Sequence, residues 1–288
     1  MIVGIGTSFP ELASSVAAVL QGETEIVSAN VIGSNIANIL FVVGLVSFLG
    51  GRLVVTKDLI DLDLPLLAIS TVLFLGAAQD RIITAPEAII LLVGYGVYFL
   101  SMAFHTEEVE GIEGGVAGFF RKRPSRPEAL LHKKPEDRPQ LAPRDIVLLA
   151  VGIAGLAFGA KYLIDSVVML STLFHISTGM IAITAIALGT SLPELFVSGR
   201  AALSRKAGIS LGNILGSNVF NMLAVIGVSG LLRQIHMDDP TFLIGIPTLI
   251  ATTILFVISG ISRRVYIWEG AFYLLLYLLF LGKLFQFI

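Results

Sequence analysis

Residues 4–44 of this 288-residue chain are written again 183 positions later, as residues 187–227. The two stretches align without a gap and 18 of their 41 positions are identical. The identities fall mainly on Gly, Ser, Thr, Asn, Pro and Glu, whereas chance matching in apolar sequence would favour Leu, Val and Ile. The same offset carries the apolar run 59–79 onto 242–262, and the run 83–105 onto 266–288. Any fold that suits one half must suit the other, so the chain reads as a duplicated unit.

The duplicated unit belongs in a membrane. Hydrophobic residues make up 55% of the chain and charged residues 14%. The apolar runs reach the roughly 20 residues that cross a hydrocarbon core about 30 Å thick. The pattern predicts an all-α polytopic membrane protein with nine spans, near 1–20, 25–49, 59–78, 83–104, 144–174, 178–205, 208–233, 240–261 and 265–287. Residues 1–104 form the first repeat, 105–143 a connecting loop and 144–288 the second repeat. No signal peptide is visible, since Met1 leads directly into apolar sequence. The absence of cysteine excludes disulfides, thiolate metal sites and thiol nucleophiles. The net charge of −2 favours no partner class, and no nucleic-acid partner or cofactor is expected.

Basic residues orient the chain. With the 105–143 loop in the cytoplasm, Arg52, Lys57, the eight from Arg121 to Arg144, Arg200, Arg205, Lys206, Arg263 and Arg264 all lie inside. Only Arg81, Arg233 and Lys283 lie outside, with Lys161 inside a span. This asymmetry predicts an orientation that places the 105–143 loop in the cytoplasm. The loop is acidic and then basic, and is expected to be a solvated linker.

The span 144–174 precedes the second copy, and its partner at the same offset would fall before Met1. The expectation is therefore a fold of two five-helix repeats, inverted because each holds an odd number of spans, with the first helix missing from this chain.

Each repeat carries a two-part polar element. Gly6-Thr7-Ser8-Phe9-Pro10-Glu11 returns as Gly189-Thr190-Ser191-Leu192-Pro193-Glu194. Asn30, Gly33, Ser34, Asn35 and Asn38 return as Asn213, Gly216, Ser217, Asn218 and Asn221. A proline gives no hydrogen bond to the carbonyl four residues back, so Pro10 and Pro193 free the Gly6 and Gly189 oxygens. Irregular backbone at membrane depth is tolerated only in a protein interior or beside a cavity. Thr7 and Ser8 share a helix face with Glu11, and Asn30, Ser34 and Asn38 form a stripe at spacings of four. Carboxylate, amide, hydroxyl and carbonyl oxygens without sulfur or imidazole suit hard cations such as calcium, sodium or magnesium. Two carboxylates neutralise one divalent or two monovalent ions. One unpaired charge at a helix centre costs about 3 kcal/mol on insertion scales, so an empty pair is expected to take up a proton.

Other polar residues have plainer roles. Ser15, Ser28, Ser198, Gly44 and Gly227 read as helix-packing positions. Asp61, Asp63, Glu87 and Glu269 lie near span ends, where a carboxylate is solvated. Lys161 and Asp165, four apart on one helix, are expected to pair with each other.

The strings GTSFPE with NVIGSNIAN, and GTSLPEL with GNILGSNVFN, resemble the paired alpha-repeats of the cation/calcium exchanger superfamily, especially its prokaryotic sodium/calcium exchangers. The resemblance implies ten helices in two inverted halves around a mid-membrane ion site, with the first and sixth helices as a sliding gate. It maps Thr7, Ser8, Glu11, Ser34 and Asn38 to ligands of the first half, and Thr190, Ser191, Glu194, Ser217 and Asn221 to ligands of the second. It makes 144–174 the sixth helix. The implied activity is antiport of calcium against sodium, which are substrates of the site. Asn221 stands where potassium-dependent relatives carry aspartate, which argues against potassium dependence. Neither half has the glutamate after a glycine-asparagine pair that vacuolar-type proton/calcium exchangers show.

Three other readings remain open on the residues alone. The same oxygen cage could serve a cation/proton exchanger or a cation channel. Without a first helix the chain could be an inactive fragment. Gly208-Ile209-Ser210-Leu211-Gly212 fits the G-x-S-x-G string of serine hydrolases, although no strand-turn-helix context surrounds it.

Overall fold

A computed structural model describes residues 2–51, 53–56, 59–105 and 143–287. The predicted loop beyond residue 105, together with Arg52 and Lys57, lies outside the described residues. The chain divides into two compact units, residues 1–98 with 156–288, and residues 99–155. In the smaller unit the described residues are helical throughout, the end of α6 (Ala85–His105) and the start of α7 (Pro143–Phe174).

The larger unit is built almost wholly of helices. Helices α1 (Ile2–Thr7), α2 (Phe9–Gln21), α3 (Thr24–Ile36) and α4 (Gly44–Gly50) lead to α5 (Leu64–Ala77) and α6. The second half supplies α8 (Thr178–Ile181), α9 (Ala187–Thr190), α10 (Leu192–Leu203), α11 (Ala207–Val219), α12 (Ile226–Leu232), α13 (Ile246–Ile261) and α14 (Ile267–Leu284). The duplication is legible in these boundaries. Thr24–Ile36 shifted by 183 is Ala207–Val219, and the α2 and α5 ranges fall within a residue of α10 and α13.

Eight helices among the described residues are long and apolar enough to cross a membrane: Thr24–Leu49, Leu59–Ala77, Ala85–Met102, Ala154–Phe174, Thr178–Leu203, Ala207–Leu232, Thr241–Ile261 and Ile267–Leu284. They correspond to eight of the nine expected spans. The first expected span, 1–20, is not among these eight; its described residues form α1 and α2, which meet at Ser8. The motif explains the break: Ser8 sits at φ −90°, ψ 8°, and Pro10 occupies the first turn of α2, where a missing amide hydrogen costs nothing. Ser191 repeats the geometry at φ −81°, ψ 2° before α10, with Pro193 in its first turn.

Two short strand pairs tie the halves together. Strand β1 (Leu53–Val54) runs antiparallel to β4 (Arg264–Val265), and β2 (Ile82–Ile83) to β3 (Ile235–His236). Each pair joins the first half to the second, so exchanging the halves exchanges the pairs. Gly208 approaches Thr56 near the first pair. Near the second pair, Arg81 is ion-paired with Asp239, and Gly22, at φ 89°, lies against the Arg233 guanidinium. Arg264 thus belongs to one strand pair, while Arg81 and Arg233 lie beside the other.

The most deeply buried spans are Thr24–Leu49 and Ala207–Leu232, which carry the asparagine-rich halves of the motif. Close backbone approach explains why glycine stands at their contacts. A Cβ on Gly33 would strike the Ile183 carbonyl and the Ala187 side chain. A Cβ on Gly270 of α14 would lie 2.7 Å from the Gly44 carbonyl. Gly227 packs in the same tight manner on Leu92 and Ala88 of α6, so both glycines expected at packing positions are found there.

The span-end carboxylates Glu87 and Glu269 are helix-cap residues. Glu87 accepts from the Thr84 amide at 2.7 Å and Glu269 from the Tyr266 amide at 2.7 Å, satisfying donors that precede α6 and α14. Lys161 and Asp165 depart from expectation. Both are exposed on α7, and no ion pair joins them among the described residues. Spacing permits such a contact, but holding two exposed charged chains together returns little free energy against their rotamer entropy.

Candidate cation site

The helix breaks at Ser8 and Ser191 set Glu11 and Glu194 in the first turns of α2 and α10. Both carboxylates are 0% exposed. Each stands beside hydroxyls of the other half, and among the described residues neither is ion-paired with a basic side chain. Two buried anions without a counter-charge are costly in a low-dielectric interior unless a cation or proton joins them.

Hydroxyls and amides from both halves surround them. Glu194 Oε1 accepts from Ser8 Oγ at 3.0 Å and from Ser217 Oγ at 3.1 Å. Thr7 Oγ1 lies 3.3 Å from Ser217 Oγ, and donates to Asn213 Oδ1 at 3.3 Å. The arrangement repeats on the other side. Thr190 Oγ1 lies 3.4 Å from Ser34 Oγ and donates to Asn30 Oδ1 at 3.4 Å. Thr190 and Ser191 stand against the Glu11 carboxylate, yet neither oxygen of Glu11 accepts a hydrogen bond of acceptable geometry.

Asn38 and Asn221 come from a different local device. Each lies where its helix widens into a π-helical turn, residues Ala37–Val43 and Phe220–Val225. One extra residue per turn shifts the register, and such bulges recur at functional positions. The first π segment packs on α10 and α11, the second on α2 and α3. Each amide is thereby delivered to the helices that carry the other half's motif.

Glu11 Oε1 and Oε2, Glu194 Oε2, Ser191 Oγ, Asn38 Oδ1 and both polar atoms of Asn221 are buried without a hydrogen-bond partner. Orphaned buried oxygens are rare and costly. Their concentration in one matched pair of motifs is what a dehydrated cation would relieve. Among the described residues no group of three His, Cys, Asp or Glu side chains is placed to hold a metal ion. The oxygens gathered here are those of two carboxylates with neutral hydroxyls and amides around them.

All ten residues singled out by sequence are buried, the most exposed being Thr7 at 9%. The structure joins Thr7, Ser8, Ser217 and Glu194 by hydrogen bonds, and Ser34 to Thr190, with Ser191 beside Glu11. Asn38 reaches Asn218. Asn30, Asn213 and Asn218, which the sequence places only in the repeated polar element, bond to Thr190, Thr7 and Asn38. Their spacing and their recurrence at the 183 offset were the available signal. Ser198 is also more than packing, since it accepts from Asn213 Nδ2 at 3.1 Å. Ser210 of the G-x-S-x-G string lies inside α11, and His236 belongs to β3, where its Nδ1 is 3.2 Å from Thr24 Oγ1. No nucleophile-base pair is formed by them.

An oxygen cage closed from both sides, between paired half-motifs of a helical membrane protein, defines an ion-translocating membrane transporter. The model of the family described as sodium/calcium exchanger protein matches residues 1–104 and 145–286. The chain belongs to this family, whose members are transporters and not enzymes. It is 31% identical to the sodium/calcium exchanger MaX1 of Methanosarcina acetivorans, over 99% of this chain and 87% of that protein. It is 32% identical to the putative antiporter CaxA of Alkalimonas amylolytica, over 82% of this chain and 70% of that protein. Its fold matches the solved sodium-calcium exchanger NCX_Mj soaked with zero Na+ and Ca2+, at a TM-score of 0.64 and 24% identity, covering 99% of this chain and 85% of that one.

Proposed function

We propose that this protein is a secondary active antiporter exchanging calcium for sodium by alternating access. The observation that carries the reading is the pair of buried, unpaired carboxylates Glu11 and Glu194 with orphaned oxygens around them. Calcium binds between the two, and sodium ions compete for the same oxygens because two of them cancel the same charge. Thr7, Ser8, Ser34, Asn38, Thr190, Ser191, Ser217 and Asn221 complete the ligand set. Only a neutralised site can cross between the two faces at acceptable cost. Competition for one site therefore becomes obligatory exchange.

On this reading the ligands divide evenly between a first repeat over 1–104 and a second over 144–288, with residues 105–143 as a cytoplasmic connector in a prokaryotic inner membrane. The test is uptake of radioactive calcium into sodium-loaded proteoliposomes. Uptake that requires the outward sodium gradient is expected. Uptake indifferent to sodium but driven by a proton gradient would overturn sodium as the counter-ion.

A further inference from the structure

The hydrogen bonds of the site obey the 183-residue symmetry only in part, and the departures come in matched atoms. Asn38 Nδ2 donates to Asn218 Oδ1 at 2.9 Å. Exchanging the halves turns this bond into Asn221 Nδ2 to Asn35 Oδ1, and both of those atoms are buried without a partner. Ser8 Oγ donates to Glu194 Oε1 at 3.0 Å. Its mate is Ser191 Oγ to Glu11 Oε1, and again both atoms are unpartnered. Ser217 and Ser34 share their contacts to Thr7 or Thr190 and to the Gly4 or Ala187 carbonyl, but only Ser217 also lies within bonding distance of its carboxylate, Glu194 Oε1 at 3.1 Å. The bonds shared by both halves, Thr7 with Asn213 and Ser217, and Thr190 with Asn30 and Ser34, hold the frame.

We propose that Asn35 and Asn218 are positioning residues that hold the ligand amides in alternation, Asn218 gripping Asn38 in the conformation seen here and Asn35 gripping Asn221 in its symmetry-related counterpart. The inference rests on the antiport reading of the site. A two-fold-related pair of sequences has two equivalent ways to place one set of bonds, and the structure occupies one of them. Four orphaned atoms, placed as the unused set, are the cost of that choice and the groups that become satisfied in the other. Asn35 is ready for this role. Its amide donates to the Val31 carbonyl at 2.8 Å, so the side chain is fixed while its oxygen stays free. Asn218 in turn donates to the Asn35 carbonyl at 3.4 Å, placing the two holders side by side. A ligand that binds both arrangements alike shifts nothing, so the switch sets sidedness without favouring an ion.

The chain has no cysteine, which permits a clean test. Val19 and Ala202 are symmetry mates, buried at 3% and 8% on α2 and α10, outside the ligand set. Val19→Cys and Ala202→Cys would be labelled separately with a thiol-reactive maleimide in proteoliposomes, in the full chain and in Asn35→Ala and Asn218→Ala backgrounds. The ratio of the two labelling rates should move in opposite directions in the two variants, each by about fivefold, the population shift expected of one lost hydrogen bond. The double variant should return towards the parent ratio. Equal or same-direction shifts would overturn the proposal, because a merely structural role damages both variants alike. Asn35→Ser and Asn218→Ser repeat the comparison if an alanine variant fails to insert. Sodium-independent transport by the parent chain would overturn the antiport reading while leaving the labelling ratio as a separate result.

Discussion

At the scale of single residues, the chemistry turns on which buried oxygens already have partners. Glu194 is held by two hydroxyls, and Glu11 by none. Replacing either by glutamine removes half the charge that balances calcium. Glu11→Gln and Glu194→Gln are each expected to abolish sodium-driven calcium uptake, and wild-type flux from either would refute the site. Ser8→Ala should be milder. It removes one neutral ligand oxygen of the proposed set and leaves both carboxylates, so calcium binding measured by calorimetry should weaken by about tenfold, on the order of one contact to a charged group. Asn221→Asp adds a third carboxylate to a site with two. Calcium should bind about tenfold more tightly, since ligand charge count sets affinity, while sodium-driven turnover slows because the cage then keeps a net charge.

The elements around the site are helices broken or widened at chosen places. Ser8 and Ser191 interrupt α1–α2 and α9–α10, while π-helical turns carry Asn38 and Asn221. The breaks are legible in the sequence because proline announces them. The π turns are not, since residues 37–43 and 220–225 are ordinary apolar residues around one asparagine and carry no local signal. Gly33 shows how an element-level contact constrains composition. Its α-carbon faces the backbone of residue 183 with no room for a methyl group. Gly33→Ala should force α3 away from that segment at a cost of about 1–3 kcal/mol, as overpacking does. A lowered melting temperature in detergent together with lost uptake is the expected result.

For the whole molecule, the two strand pairs mark where the halves are tied, and each has an arginine in it or beside it. Arg264 belongs to the β1–β4 pair, and Arg81 immediately precedes β2 of the other. Single cysteines placed at these two positions should label from opposite sides of the membrane. An impermeant maleimide added to intact cells should reach Arg81→Cys, and Arg264→Cys only after permeabilisation. Labelling of both from one side would overturn the proposed topology.

The sequence by itself determined the membrane environment, eight of the spans, the duplication and the ten candidate ligands. These depend on local quantities: apolar length, helix-breaking residues, and polar types that recur at one offset. It could not decide which hydroxyl meets which carboxylate. Thr7 finds Ser217 and Ser8 finds Glu194 across 210 and 186 residues, contacts fixed only when the two halves pack. Nor could it show that Asn30, Asn213 and Asn218 join the network, or that Lys161 and Asp165 stay apart. The asymmetry between Glu11 and Glu194 was the least legible of all. A duplicated sequence is nearly symmetric, and only a packed interior, where a donor can satisfy one acceptor at the expense of another, has to choose.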